Sequence, residues 1–391
     1  MVAKPFKAEK FLGYGCFGVV YSVSSQQKHD WNKIYALKRF SMERPEALIF
    51  AMKEYNALKK VSLDDEPSPF IPKLFYAFTI YVSPVLVLNQ ASGITLFNII
   101  EINGPLNIYN ARFYITEIMC GLKFLHDRNI VHMECKPDNI LISHLGHVIL
   151  SDFDRSYDLT RSFPNNYDFL VAQYYAAPEV VCKAMITPQA DVWTLGVLMT
   201  DLLGKRIRIG GARSRSMLHR AIGGIWTIDR FSRLRADLRE FFNKTFTYCY
   251  VLRPNIPELQ RLTFFKYINW EEVESLYYKP PFTGYQLKQI ARKLEHRFDP
   301  YNPSLLASLY RKPLPQVVNG RLKYEYDQNG NPYVVVVEPE LSRFRDIGFS
   351  PGQVIELLAE FNFIHPNLNC YRLLLKGKTT IKYIEVDTRL K

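Results

Sequence analysis

The chain has 391 residues, 48% hydrophobic and 23% charged, with a formal net charge of +12 and a pI near 9.2. That length is expected to hold two or three globular units, and the composition supplies a large core and excludes wholesale disorder. The positive excess favours acidic partners (phosphates, nucleic acid, anionic lipid or acidic protein surfaces) without choosing among them.

The opening residues MVAKPFKAEKF lack a continuous apolar run, so no signal peptide is expected. No stretch approaches the roughly 20 apolar residues a membrane helix needs. The six cysteines, Cys16, Cys120, Cys135, Cys182, Cys249 and Cys370, lie far apart without a CxxC pair. They read as reduced thiols of a soluble cytoplasmic or nuclear protein, not as a disulfide framework or a zinc site.

In chain order, EKFLGYGCFGVVYSV and KIYALKRF alternate β-branched and aromatic residues around glycines and predict strand, turn, strand. PEALIFAMKEYNALKKV repeats apolar residues at three and four, the spacing of a helix, and VSPVLVLNQ is a short apolar strand. ARFYITEIMCGLKFLH is helical, followed by the loop VHMECKPDN and the strand pair ILIS and HVILS. PQADVWTLGVLMTDLL and DLREFFNKTF return to helix. Lys205, Arg206, Arg208, Arg213, Arg215 and Arg220 concentrate positive charge, and a solvated basic face is the favoured reading over an anion site. After Phe282 the character changes. LKYEYDQNGNPYVVVVE predicts a hairpin about Asn329-Gly330, and Ser350-Pro351 opens a capped helix in GQVIELLAEF.

Three glycines between strands, Gly13, Gly15 and Gly18, let backbone amides approach a triphosphate. A dinucleotide fold would need a helix after them, and VVYSV continues as strand. Lys38 in YALKRF and Glu54 on the next helix suit a lysine that grips phosphates while a carboxylate holds it in place. With VHMECKPDN, HVILSDFD, AAPE and DVWTLG following in order, residues 5–283 resemble the eukaryotic protein kinases. ARFY, LGHVILSDF and FFKYINWEEV…KPPF further resemble the AGC group of serine/threonine kinases.

The resemblance implies an α+β, bilobal protein-kinase fold. Its β-rich small lobe would span about 5–91 and its helical large lobe about 92–283, with an additional α/β tail over 284–391. It implies that Asn139 and Asp152 hold Mg2+, or Mn2+, at the phosphates of ATP, and that Lys136 stabilises the transferring phosphoryl group. It places Val20 and Ala36 about the adenine, Leu88 as gatekeeper and Asn89 to Ala91 as hinge. Leu58, His132 and Phe153 would stack as a spine, Glu179 would pair with Arg253, and Asp191 would act structurally.

The pattern breaks at four places. His132-Met133-Glu134 replaces HRD, so the catalytic carboxylate is one methylene longer; Met133 cannot receive a phosphorylated loop. Asp154 replaces the DFG glycine and adds a carboxylate near the metal. Ala172 replaces a threonine that touches the catalytic acid and the lysine, which reads as joint erosion before compensation. Thr95 stands where many AGC kinases keep a glutamate for basic substrates, so no such preference is assumed. Ser156, Thr160 and Ser162 are read as ordinary loop residues, and FRDIGF (Phe344 to Phe349) as tail packing. Two functions follow: a slow or substrate-restricted ATP-dependent serine/threonine protein kinase acting on protein substrates, which is favoured, or a pseudokinase that binds ATP as a scaffold or allosteric partner. A nucleic-acid-binding protein lacks any recognition motif.

Overall fold

The computed structural model describes residues 5–41, 44–80, 83–161, 163–209, 226–295, 300–303, 306, 309, 324–326, 332–334 and 343–364. Arg213, Arg215, Arg220, Ser162, Cys370 and the turn at Asn329-Gly330 lie outside the described residues. The chain begins with β1 (Phe6–Tyr14), β2 (Gly18–Ser25), β3 (Ile34–Phe40), α1 (Ala47–Ser62), β4 (Leu74–Ile80) and β5 (Ser83–Asn89). Then come β6 (Ile94–Thr95), α2 (Leu96–Asn103), α3 (Ile108–His126), β7 (Ile130–Val131), β8 (Ile140–Ile142), β9 (Val148–Leu150) and β10 (Tyr157–Asp158). Helices α4 (Pro178–Val181) and α5 (Gln189–Leu202) precede β11 (Ile207–Ile209) and β12 (Trp226–Ile228). The remainder is α6 (Ala236–Thr245), α7 (Ile256–Gln260), α8 (Trp270–Glu274), α9 (Gly284–Glu295), β13 (Tyr324–Tyr326), β14 (Pro332–Val334), α10 (Pro351–Glu360) and β15 (Phe363–Ile364).

These elements form two compact units. One comprises Met1–Asn56, Lys73–Gln90 and Phe298–Lys391, the other Ala57–Pro72 and Ala91–Arg297. One is strand-rich and the other helix-rich, the α+β arrangement that the resemblance implies.

In the first unit, one antiparallel sheet runs β1-β2-β3-β5-β4-β15. Period-two alternation, reset in β1 by a register shift between Ala8 and Lys10, puts Phe6, Phe11, Tyr21, Tyr35, Leu37 and Val87 in a common core. The C-terminal residues are built into this unit. Phe11 donates its N–H to the Pro300 carbonyl at 2.8 Å, and the buried Arg39 guanidinium donates to the Leu309 carbonyl at 2.8 Å. β15 pairs with β4, Phe363 opposite Ala77 and Ile364 opposite Tyr76. Ser350 caps α10 through a reciprocal box with Gln353, which sets the helix start and turns Val354 and Leu358 inward. The Phe361 ring then packs 5.0 Å from that of Tyr55 on α1. Phe344, the first residue of FRDIGF, is buried. β13 and β14 pair antiparallel on either side of the expected turn.

The second unit is built on α3 and α5, whose buried faces span most of their lengths. Asn107 caps α3 by accepting the N–H groups of Tyr109 and Asn110. Gly146, at φ +102, lies so close to the Phe282 carbonyl that no side chain fits there. The turn of LGH is thereby fitted to the KPPF segment. No helix among the described residues is long and apolar enough to cross a membrane.

Because Phe361 is 1% exposed and large-to-small core changes leave cavities, Phe361→Ala should cost about 3 kcal/mol. Denaturant unfolding measures this, and an unchanged midpoint would contradict a packed tail.

Candidate active site

The first unit presents its candidate residues on one face of the sheet. Ala36 and Lys38 are two apart on β3 and share a face; Leu88 lies opposite Ala36 and Val20 opposite Lys38. Val20, Ala36 and Leu88 are half-buried, whereas Tyr35 and Leu37 of the other face are fully covered. Lys38 Nζ donates to Glu54 Oε2 at 2.5 Å, with side chains 11% and 2% exposed. So deep a carboxylate needs its cation, and the pair fixes the lysine's direction. The three glycines are not equivalent. A side chain on Gly18 would strike the Arg39 carbonyl, so Gly18 is required by its own sheet; nothing lies within 4 Å of a Cβ on Gly13. Gly15 closes the turn by donating its N–H to the Gly18 carbonyl at 2.8 Å. In the segment expected as hinge, Asn89 accepts the Lys73 N–H at 2.7 Å and Gln90 accepts the Ser22 hydroxyl at 2.7 Å.

The second unit holds the catalytic-loop residues. Asp191, fully buried at the start of α5, accepts the N–H of His132 at 2.9 Å and of Met133 at 2.8 Å. His126 Nε2 also reaches it at 2.8 Å. These bonds hold Met133 in the left-handed region, φ 69, a strain of about 1–3 kcal/mol that the surroundings must offset. Met133 is 3% exposed and packs as a core residue. Next in the chain, Glu134 is 7% exposed and both its carboxylate oxygens are engaged. Oε2 accepts from Lys136 Nζ at 3.1 Å and Asn139 Nδ2 at 3.2 Å, while Oε1 accepts the backbone N–H of Ala172 at 2.9 Å. Burial works against the Lys136 ammonium, but the Glu134 charge and hydrogen bond outweigh it and raise its pKa.

Asn139 uses its Nδ2 for both bonds to Glu134, carbonyl and carboxylate. Its amide oxygen is therefore the atom left for a cation. Asp152 stands in the left-handed region, φ 64 and ψ 69. Oxygens of Glu134, Asp152 and Asp154 all lie within 4.8 Å of one another. Such a set of hard oxygen donors suits Mg2+ or Mn2+ and not a thiophilic metal. Asp154 needs no glycine-like backbone, because it sits inside the 3-10 turn Phe153–Arg155. Arg155 joins that turn to the following segment, lying 3.4 Å from Asp154 and donating to the Leu170 carbonyl at 2.6 Å.

The rings of His132 and Phe153 pack 5.0 Å apart, and Leu58 is fully buried. Arg253 makes a two-pronged bond to Glu179, 2.6 and 3.0 Å, and spends its other N–H groups on the carbonyls of Gln189, Thr247 and Tyr248. Thr95 caps α2 by accepting the Asn98 N–H at 3.1 Å. The hydroxyls of Ser156 and Thr160 donate to Phe153 and Asp158 as local turn bonds. Sequence reasoning missed Asp201, which accepts the Tyr175 hydroxyl at 2.6 Å; burial raises its pKa. It also missed Glu117, which takes the Val148 N–H and pairs with His147 at 2.6 Å. Both pairs join residues distant in the chain, for which the local pattern carries no signal.

The protein kinase domain family matches residues 6–265, and the chain belongs to that family. It is 29% identical over 280 residues to ribosomal protein S6 kinase alpha-6 of Danio rerio, covering 71% of this chain and 37% of that protein. It is equally identical over 283 residues to a probable serine/threonine-protein kinase of Dictyostelium discoideum, covering 71% and 60%. Ribosomal protein S6 kinase alpha-1 of Rattus norvegicus matches at 29% over 280 residues, 71% and 38%. The chain thus spans between about a third and three-fifths of the relatives it matches. The S6 kinases carry the likeness to the AGC group.

Burial pushes the His132 imidazole below its ordinary value. The Glu134 N–H points at its Nδ1 and its Nε2 faces the Ser151 carbonyl, which suits the neutral ring. With the folded pKa depressed, stability is full above about pH 6.5 and falls as pH drops toward the lowered value. His132→Phe should flatten this decline in melting temperature between about pH 7 and 5.5; parallel declines would contradict it.

Proposed function

We propose that the chain transfers the γ-phosphate of Mg·ATP to serine or threonine hydroxyls of proteins, with Glu134 as the carboxylate that orients and accepts the hydroxyl proton. The observation that carries this reading is the set of bonds on Glu134. Lys136, Asn139 and the Ala172 N–H hold the longer side chain at both oxygens. That arrangement favours compensation over joint erosion: the threonine hydroxyl is gone, and a backbone N–H at the same residue takes up the extra methylene's reach. Phosphoryl transfer depends chiefly on positioning and electrostatics, so a fixed glutamate meets the requirement.

The remaining roles follow the chemistry of each unit. In the first, Lys38 held by Glu54 would bind phosphate oxygens, with the open space at Gly13 letting the glycine turn approach them and Val20, Ala36 and Leu88 offering an apolar face for the base. In the second, Asn139 and Asp152 would hold the metal ion, and Lys136 would meet the charge of the transferring group. Magnesium, when bound, supplies neutralisation of the phosphate oxygens.

Transfer from labelled Mg·ATP onto the chain itself and onto a generic protein tests the reading, with Lys38→Met alongside. Incorporation by the wild type, lost by about 100-fold or more in Lys38→Met, is the expected result. A wild type that binds Mg·ATP yet transfers nothing would replace the reading with that of an ATP-binding scaffold.

A further inference from the structure

Most of the excess charge lies in a stretch the phosphotransfer chemistry does not use. From Lys205 to Arg235 there are nine Lys or Arg and one acid, Asp229, which accounts for eight of the net twelve positive charges. The described part of this stretch is folded. β11 and β12 pair antiparallel, with Ile207 opposite Ile228 and Arg208 opposite Thr227. Ile207 and Ile228 are buried, so the alternate pair faces outward, and Arg208 and Thr227 are both exposed. Trp226 anchors the hairpin: its ring lies 5.0 Å from Phe246, which is 5.1 Å from Trp193 of α5. Arg208 therefore stands on a fixed strand pair, with Arg206 just before it and Arg230 and Arg233 just after.

Arg235 is paired with Asp237 through two bonds, 2.7 and 3.2 Å, and the other described cations of the stretch are little neutralised. Arg208 has Asp229 at 3.9 Å, with side chains 70% and 50% exposed, a weak pair. Lys205, Arg206, Arg230 and Arg233 have no carboxylate within ion-pair distance among the described residues. Solvation alone is the usual fate of a charge run, but like charges held on and beside an ordered strand pair repel one another until an anionic partner arrives. Placement adds a second reason. The hairpin leaves α5 directly, with the Lys205 N–H bonded to the Thr200 carbonyl at 2.7 Å. Asp201, in that same turn, takes the hydroxyl of Tyr175, three residues from the Ala172 N–H that holds Glu134. One helix thus supports both the basic hairpin and the segment beside the candidate catalytic carboxylate.

We propose that this hairpin docks an Asp/Glu-rich stretch of the protein substrate, away from the hydroxyl that is phosphorylated; the substrate role rests on the phosphotransfer reading above. A bilayer would call for exposed apolar residues among the basic ones, and Ile207 and Ile228 are buried. Single-stranded nucleic acid would call for a free aromatic face, and Trp226 is packed against Phe231 and Phe246. An acidic polypeptide needs only the charge.

The test uses the full chain and a variant carrying Arg206→Glu, Arg208→Glu, Arg230→Glu and Arg233→Glu, with the corresponding four Gln changes as a control for folding. Anisotropy of a labelled ten-residue poly-glutamate peptide reads docking directly, beside a single-stranded DNA decamer and phosphatidylserine vesicles. Transfer onto a serine peptide with and without an appended glutamate tract reads the kinetic consequence. Expected are peptide binding weakened about tenfold or more by the four Glu changes, and a tract that lowers KM without changing kcat in the wild type only. A tract without effect on KM, or DNA or vesicles bound more tightly than the peptide, would overturn the proposal while leaving phosphotransfer intact. If no protein transfers phosphate but the wild type alone holds the peptide, the phosphotransfer reading fails and the docking surface stands.

Discussion

Two backbone N–H groups, those of His132 and Met133, end on the two oxygens of one fully buried carboxylate, Asp191. A buried carboxylate is costly unless its lone pairs are filled, and adjacent N–H groups bend the chain sharply to fill them. The left-handed Met133 is the consequence, and it sets the direction in which Glu134 leaves the loop. From there the side chain reaches Lys136, Asn139 and Ala172. The catalytic loop, the candidate metal donor Asn139 and the segment beyond Arg155 are thus tied to one another through two acids, Asp191 at the base and Glu134 at the tip.

A comparable economy governs the first unit. Lys38 is directed by Glu54, and the next residue of α1, Tyr55, carries the ring on which Phe361 of the tail packs. The tail also closes the sheet edge at β4 with two residues of β15 and caps buried groups on β1 and β3 through the carbonyls of Pro300 and Leu309. A sheet edge left open is a liability for association. Here the chain covers that edge itself, and in doing so it steadies the helix that carries Glu54.

The long helices were legible because their apolar period is strong: α3, α5 and α6 lie where the spacing put them. The Ser350 cap and the strands flanking Asn329-Gly330 were equally plain. Residues that the kinase resemblance assigned as partners, Lys38 with Glu54 and Glu179 with Arg253, are adjacent in space. Other features have no letter to announce them. The donor at Ala172 is a backbone N–H, invisible behind a residue that sequence reading scores as a loss. β15 has two residues, too few for a period. Gly13 and Gly18 look alike in the sequence, and only the neighbouring Arg39 carbonyl separates the open one from the one its sheet requires. The basic run reads as a solvated basic face until the Ile207–Ile228 pairing gives its strands an inside and an outside.

The claim that the site is built around glutamate is tested most directly by single-turnover phosphoryl transfer in Glu134→Asp, with Glu134→Gln as the charge-free reference. Restoring the family's shorter acid withdraws the carboxylate by about one methylene from Ala172, and a displacement near 1 Å can cost on the order of a hundredfold in rate. Glu134→Asp is expected to be slower at unchanged Mg·ATP affinity, with Glu134→Gln slower still. A Glu134→Asp enzyme faster than the wild type would contradict the claim and would mean that the glutamate is a defect the rest of the site has not absorbed.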